Sequence, residues 1–338
     1  MPITNEGLTY PTSAEMEQVA QDLLPRLQAD RPIFQIMPIR TVDAFELIWE
    51  QEANFTGLQG WRGMNGAPGR VAQVALNQYK VDPGIYGEYM LIDEMMLTRR
   101  RAYGTPMTPV PIVDLVTDNL TKLLQRRLDR IETIGWNILQ GSYSVLNGSG
   151  AVMITDTYPV QTYSAGTAWA SRSSAVPTSD FSAVKLLHRG HSTSFGATAT
   201  GYANQTTINN LLLNENASDP LGRRIPGLMS NNMGDTNKIL QGADLPQIVA
   251  YDEGYFDDTG TFQLYIPNGI VILVGKRPAG QRVAEFRMVR NAVNPNAAPG
   301  AYTRVELKPE IPPQVQVHDG FNGGPVLFYA SSIVVMSV

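Results

Sequence analysis

The chain has 338 residues, 43% of them hydrophobic, which is enough to bury one large core or two smaller ones, and it has no cysteine, which excludes disulfides, thiolate metal sites and a cysteine nucleophile. A formal net charge of −5 argues against a chain whose main task is gripping nucleic acid, because that task needs a basic face or stripe. Only 17% of residues are charged, and 30 glycines with 23 prolines predict many turns and a surface partly hidden by neighbouring copies.

The opening residues, MPITNEGLTYPTSAEMEQ, lack the basic start and apolar stretch of a secretory signal, so the chain is expected to fold in the cytoplasm where it is made. Thr12 and Glu15 have capping-box spacing, and Met16, Val19, Ala20, Leu23, Leu24 and Leu27 follow at steps of three and four, which predicts an amphipathic helix. Pro25 is expected to bend or end it. Pro32 and Pro38 in ADRPIFQIMPIR predict extended chain beyond it.

From Val42 onward, Phe45, Leu47 and Trp49 alternate with Glu46, Ile48 and Glu50, the period of a strand with one wet face. TGLQGWRGMNGAPGR then places glycine at 57, 60, 63, 66 and 69. A collagen triple helix would need many such triplets and abundant proline, whereas this stretch has Pro68 alone. With Val42–Glu50 and Tyr86–Leu97 read as extended flanks, the excursion over 42–97 is expected to be a long flexible hairpin that buries little.

VPIVDLVTDNLTKLLQRRLDRIETIGWNILQG carries the strongest helix pattern. Val113, Val116, Leu120, Leu124, Leu128, Ile131, Ile134 and Ile138 form one apolar stripe, with Pro111 and Asp114 suited to the start and Gly141 to the stop. About 29 residues at 1.5 Å each reach ~43 Å, the length of a spine. GSYSVLNGSG reads as the loop after it, and TYSAGTAWASRSSAVPTSD as a boundary before a second α+β region. Helices are expected near 181–190 and 205–214. Strands are expected around Phe262–Ile266, GIVILVG at 269–275, Ala284–Met288, Val305–Leu307 and Val315–Val317, and in the closing PVLFYASSIVVMSV.

No catalytic or metal-ligating set emerges. His188 and His191 lack further ligands and suit a helix end, and His318 has no nucleophile motif beside it. GKRPAG at 275–280 lacks the upstream glycine of a phosphate loop, and DEGYFDDTG at 252–260 suits a hairpin with a Thr259-Gly260 turn better than a calcium loop. Arg99 to Arg101 and Lys122, Arg126, Arg127 and Arg130 are the basic clusters, read as a solvated face or inter-subunit salt bridges rather than a DNA grip. No cofactor is expected. No apolar run approaches the ~18–20 residues that span a bilayer.

An N-terminal arm, a long hairpin, a spine helix and a mixed α+β region whose last strands return late resembles the HK97-type major capsid proteins of tailed phages. The C-terminal half is similar, more narrowly, to the lambda-like major head proteins through GTAWASRSSAVPTSDFSAV at 166–184, YIPNGIVILVG at 265–275 and PVLFYASSIVVMSV. The resemblance implies an α+β HK97-like fold with an arm at 1–41, an E-loop at 42–103, a P-domain at 104–160 and 303–322, and an A-domain at 161–302 and 323–338. It assigns Gly57, Gly60, Trp61, Gly63, Met64, Gly66 and Gly69 to the E-loop tip, where glycine lets the loop hinge and Trp61 and Met64 touch a neighbour. Val113, Val116, Leu120, Leu124, Leu128 and Ile131 belong to its spine helix.

The function so implied is a non-enzymatic shell protein. It assembles with itself into the hexamers and pentamers of an icosahedral phage head around double-stranded DNA, which it contacts non-specifically, and it resides in the virion. A separate scaffold protein, a portal and a decoration protein are the further partners implied. An encapsulin-type shell and a cytoplasmic hydrolase are the alternative readings.

Overall fold

The structure, a computed structural model, describes residues 3–5, 8–44, 46–52, 58–71, 76–99, 108, 110–146, 152–190, 193–214, 232–257, 259–277, 281–291, 293, 299–308 and 314–338. Phe45, Gly57, Arg100, Arg101 and His191 therefore lie outside the described residues. Two compact units divide the chain: residues 1–47, 81–135 and 285–326 in the first, and 48–80, 136–284 and 327–338 in the second.

A small hairpin, β1 (Ile3–Asn5) with β2 (Leu8–Tyr10), precedes helix α1 (Ser13–Ala29). The predicted capping box opens α1: the Thr12 hydroxyl accepts the Glu15 N–H at 3.2 Å, and Glu15 Oε2 accepts the Thr12 N–H at 2.9 Å. Pro25 does not end the helix, which continues to Ala29. The reason is packing, since Leu23, Leu24 and Leu27 lie against the core and offset the hydrogen bond that proline removes.

Residues 29–40 are not simply extended. Helix α2 (Ile33–Ile36) makes a single turn before β3 (Ile39–Thr41), and Ile33 and Met37 are fully buried against Gly135. A Cβ at Gly135 would lie 2.6 Å from Ile33 and 2.7 Å from Met37, so bare backbone makes their seat.

Strands β4 (Leu47–Glu52) and β5 (Leu76–Val81) pair as a ribbon, followed by β6 (Gly84–Ile92). Residues 94–99, expected to finish an extended leg, instead form α3 (Glu94–Arg99), because Asp93 Oδ1 accepts the Met96 N–H at 2.8 Å and caps a helix start. Helix α4 (Ile112–Leu139) is the spine, and Gly141 at φ +98° stops it as expected.

Thereafter come β7 (Ser142–Leu146), β8 (Val152–Thr157), β9 (Gln161–Ser164), α5 (Pro177–Leu187), β10 (Thr200–Ala203), α6 (Gln205–Leu212) and α7 (Met233–Gly242). The remainder is strands: β11 (Gln247–Ala250), β12 (Gly254–Phe256), β13 (Phe262–Leu264), β14 (Ile270–Val274), β15 (Ala284–Val289), β16 (Tyr302–Lys308), β17 (Gln314–Leu327) and β18 (Ile333–Ser337). Strand β7 replaces the loop expected there: Tyr143 is buried between exposed Ser142 and Ser144, a two-residue period, and the strand pairs with β8.

In the first unit β17 runs antiparallel to both β16 and β6, β15 lies next in the sheet, and β3 adds parallel to β15 at the edge. Val315 and Val317 alternate onto the face that meets Leu120 and Leu124 of α4 and Met16 and Ala20 of α1. The second unit has its own sheet, ordered β11-β10-β14-β18-β9, against which α5, α6 and α7 place Phe181, Val184, Ile208, Leu211 and Leu240. Val271, Ile272 and Leu273 are consecutive and fully buried, so β14 is covered on both faces, which is why its sequence is unbroken apolar.

Candidate assembly surface

The glycine-rich stretch sits between β4 and β5. Trp49 fixes the base of this ribbon: its Nε1 donates to the Leu327 carbonyl at 3.0 Å, and its ring stacks on Tyr79 at 5.7 Å. Beyond that anchor, Leu76, Asn77 and Gln78 are exposed at successive positions, so both faces of β5 are open there, whereas Val81 at its end is buried.

The described part of the tip, 58–71, holds one defined turn. Gly63 O accepts the Gly66 N–H at 2.9 Å, and Arg62 donates to the Gly66 carbonyl at 3.1 Å. Asn65, third in that turn, takes φ +69°, the sign that a type II turn requires at this place. The positive φ thus falls to Asn65 and not to a described glycine of the stretch. A Cβ at Gly66 would lie 3.1 Å from the Gly63 carbonyl, whereas Gly60, Gly63 and Gly69 face open space. Trp61 is 93% exposed and Met64 99%, with Leu58 and Val71 bare beside them. Burying such a side chain is worth ~1.5–3 kcal/mol, a gain these exposed residues do not make in the single copy.

Of the spine residues, Val116, Leu120, Leu124, Leu128 and Ile131 are fully buried. Val113 belongs to the same helix but is 41% exposed, so burial of the stripe begins after it. Helical side chains lean toward the N-terminus, so a first-turn residue has no preceding turn of its own helix to cover.

Arg127, expected on a solvated face or in inter-subunit salt bridges, is instead buried in an ion pair within the chain that ties the spine to the sheet. Arg127 Nη1 donates to Asp319 Oδ1 at 2.9 Å, and Thr303 Oγ1 donates to the same oxygen at 3.1 Å. Burial pushes the Asp319 carboxyl up to about 6 despite the opposing guanidinium, and the same burial lowers Arg127. Asp319 follows Val315 and Val317 at steps of two on the inward face of β17, and that period was the signal available in the sequence.

The other basic residues of α4 are matched within the chain. Lys122 pairs with Asp118 at 2.8 Å, Arg126 grips Glu88 with two bonds of 2.5 and 2.8 Å, and Arg130 lies 5.8 Å from the Tyr86 ring centre. The Arg126 bonds hold Glu88 below the usual carboxylate range. Sequence reasoning also missed the outer face of β6, where Ile85, Tyr89 and Leu91 are exposed at alternate positions.

Of the remaining candidates, His188 ends α5 with Nδ1 2.8 Å from the Val184 carbonyl, and His318 lies on β17 against Tyr89, ring centres 5.3 Å apart. Among the described residues no group of three or more His, Asp or Glu is placed to hold a metal ion, and no helix is long and apolar enough to cross a membrane.

Residues 76–303 match the family model of phage major capsid protein E. Among solved structures, a protein described as the capsid protein of a prophage of E. coli CFT073 superposes with a TM-score of 0.60 at 12% identity, over 97% of this chain and 99% of that one. A phage-related protein of Bordetella bronchiseptica RB50 superposes with a TM-score of 0.52 at 10% identity, over 94% and 96% respectively. No curated protein matches the sequence.

Proposed function

Since the chain belongs to the phage major capsid protein E family and is a capsid shell protein with the HK97-like fold, we infer that it closes an icosahedral head as hexamers and pentamers around double-stranded DNA. The observation that carries this assembly reading is the tip at 58–71, whose Trp61 and Met64 are almost wholly exposed. Such a tip fits an arm that finds its cover on a neighbour. The exposed Ile85, Tyr89 and Leu91 of β6 offer apolar surface of matching kind on another copy.

In this reading the 42–103 excursion acts as the E-loop, 1–41 as the arm, 104–160 with 303–322 as the P-domain, and 161–302 with 323–338 as the A-domain. The shell needs no chemistry of its own, so the protein is not an enzyme. Its partners are itself, a scaffold, a portal and a decoration protein, with non-specific contact to packaged DNA, and assembly takes place in the host cytoplasm before the protein resides in the virion. The matched charges of α4 support weak DNA contact, because Lys122, Arg126 and Arg127 already meet carboxylates of their own chain.

Electron microscopy of the full chain expressed with its scaffold tests the reading. Closed shells of uniform size are expected. A protein that stays monomeric under every assembly condition would overturn it.

A further inference from the structure

Among the exposed apolar residues of the second unit outside the tip loop are two pairs, one toward each end of β11. One lies on the β12–β13 hairpin. Asp257 locks it: Oδ1 accepts the Thr259 and Thr261 N–H groups, both at 2.9 Å, and the Thr259 hydroxyl at 2.6 Å, while Oδ2 accepts Gln263 at 3.0 Å. These bonds hold its carboxyl down to about 2. Gly260 turns at φ +79°, and Gly254 is required because a Cβ there would run into the Gln263 carbonyl. The hairpin therefore presents Phe256 and Phe262 rigidly. They are register partners meeting edge to face at 5.4 Å, 71% and 48% exposed, with the exposed carboxylate of Glu253 in the same segment.

The other patch is the end of α5, where Leu186 and Leu187 are exposed, the latter 64%. Lys185 donates to Asp244 Oδ2 at 2.5 Å and to its carbonyl at 2.9 Å, and His188 packs on Phe195, ring centres 4.6 Å apart. Asp244 leads into Gln247, so the helix end lies at the start of β11, whereas the hairpin follows Ala250 at its finish. Four residues of strand, roughly 13 Å, run between them. Arg189 is exposed and makes no ion pair among the described residues.

The two patches are complementary in kind, an aromatic pair beside the Glu253 carboxylate against two leucines beside the Arg189 guanidinium, and a single copy holds them apart. We propose that the Phe256–Phe262 hairpin of one copy docks on the Leu186, Leu187 and Arg189 end of α5 in a second copy, with Glu253 facing Arg189. The contact joins two different patches, so it repeats head to tail and closes a ring when the rotation allows. It rests on the shell reading above and names a partner surface for it.

The test is a charge swap in the full chain: Glu253→Arg, Arg189→Glu and both together, assembled beside wild type and followed by sedimentation velocity and electron microscopy. Both positions are exposed, so thermal unfolding of the subunits should not move. Each single reversal should lower the assembled fraction by about tenfold, and the double reversal should restore it. Single variants that assemble like wild type, or a double variant no better than the singles, would sink this contact while leaving the shell reading in place. Wild type that forms neither rings nor shells would sink the shell reading itself.

Discussion

Arg127 of the spine helix and Asp319 of β17 form an ion pair at 2.9 Å with both side chains almost wholly buried. The pair fastens the middle of a 28-residue helix to the longest strand of the first unit, and Thr303 on β16 joins the same carboxylate. Taking one partner away leaves a buried charge uncompensated, a far larger cost than losing a surface pair. Asp319→Ala should therefore destabilise the subunit by ~3–5 kcal/mol in urea unfolding. The double variant Arg127→Met with Asp319→Leu should recover most of that loss. A single variant within about 1 kcal/mol of wild type would show that the pair has little part in holding the helix.

The same carboxyl sets a pH dependence. Its folded pKa, about 6, stands above the unfolded value of 3.8, so between these values the folded state holds the extra proton. Stability from this group is complete below pH 3.8 and is lost as pH rises through 6, a change of roughly 3 kcal/mol. The protonated carboxyl still accepts from Arg127 through its carbonyl oxygen. Asp319→Asn should remove this component, so the difference in unfolding free energy between variant and wild type should vary across pH 4–6 and level off above it. A pH-independent difference would contradict the assignment.

Dispersed subunits should bind duplex DNA weakly and without sequence preference at physiological salt. The net charge is −5, and Lys122, Arg126 and Arg127 already face Asp118, Glu88 and Asp319. A gel shift should show little retention. Tight, sequence-dependent retention would mean that another basic surface forms.

Much of the architecture was legible because periodicity reports burial. The α4 stripe, the Thr12–Glu15 box, the β14 run and the hairpin turn at Thr259-Gly260 each carry their cause in adjacent residues. What was illegible depends on partners distant in sequence. Pro25 stays within a helix because leucines around it have a core to meet, and Ile33 and Met37 turn inward because Gly135, about a hundred residues on, leaves room. Arg127 read as one of several surface cations until Asp319 stood opposite it. At the tip, the glycines signalled a loop correctly, yet the single described positive φ there belongs to Asn65.

The tip loop tests the account most directly, because the loop is costly to expose and adds nothing to its own core. Replacing residues 57–69 by a short Gly-Ser turn, with Trp61→Ser as the single-residue companion, should leave the unfolding midpoint of the subunit unchanged, since loop tips tolerate shortening when few buried contacts are lost. Sedimentation velocity and electron microscopy under identical scaffold coexpression should then show soluble subunits that fail to close or that form fragile shells. Normal, heat-stable shells from the shortened chain would contradict the claim that this loop holds neighbouring copies together.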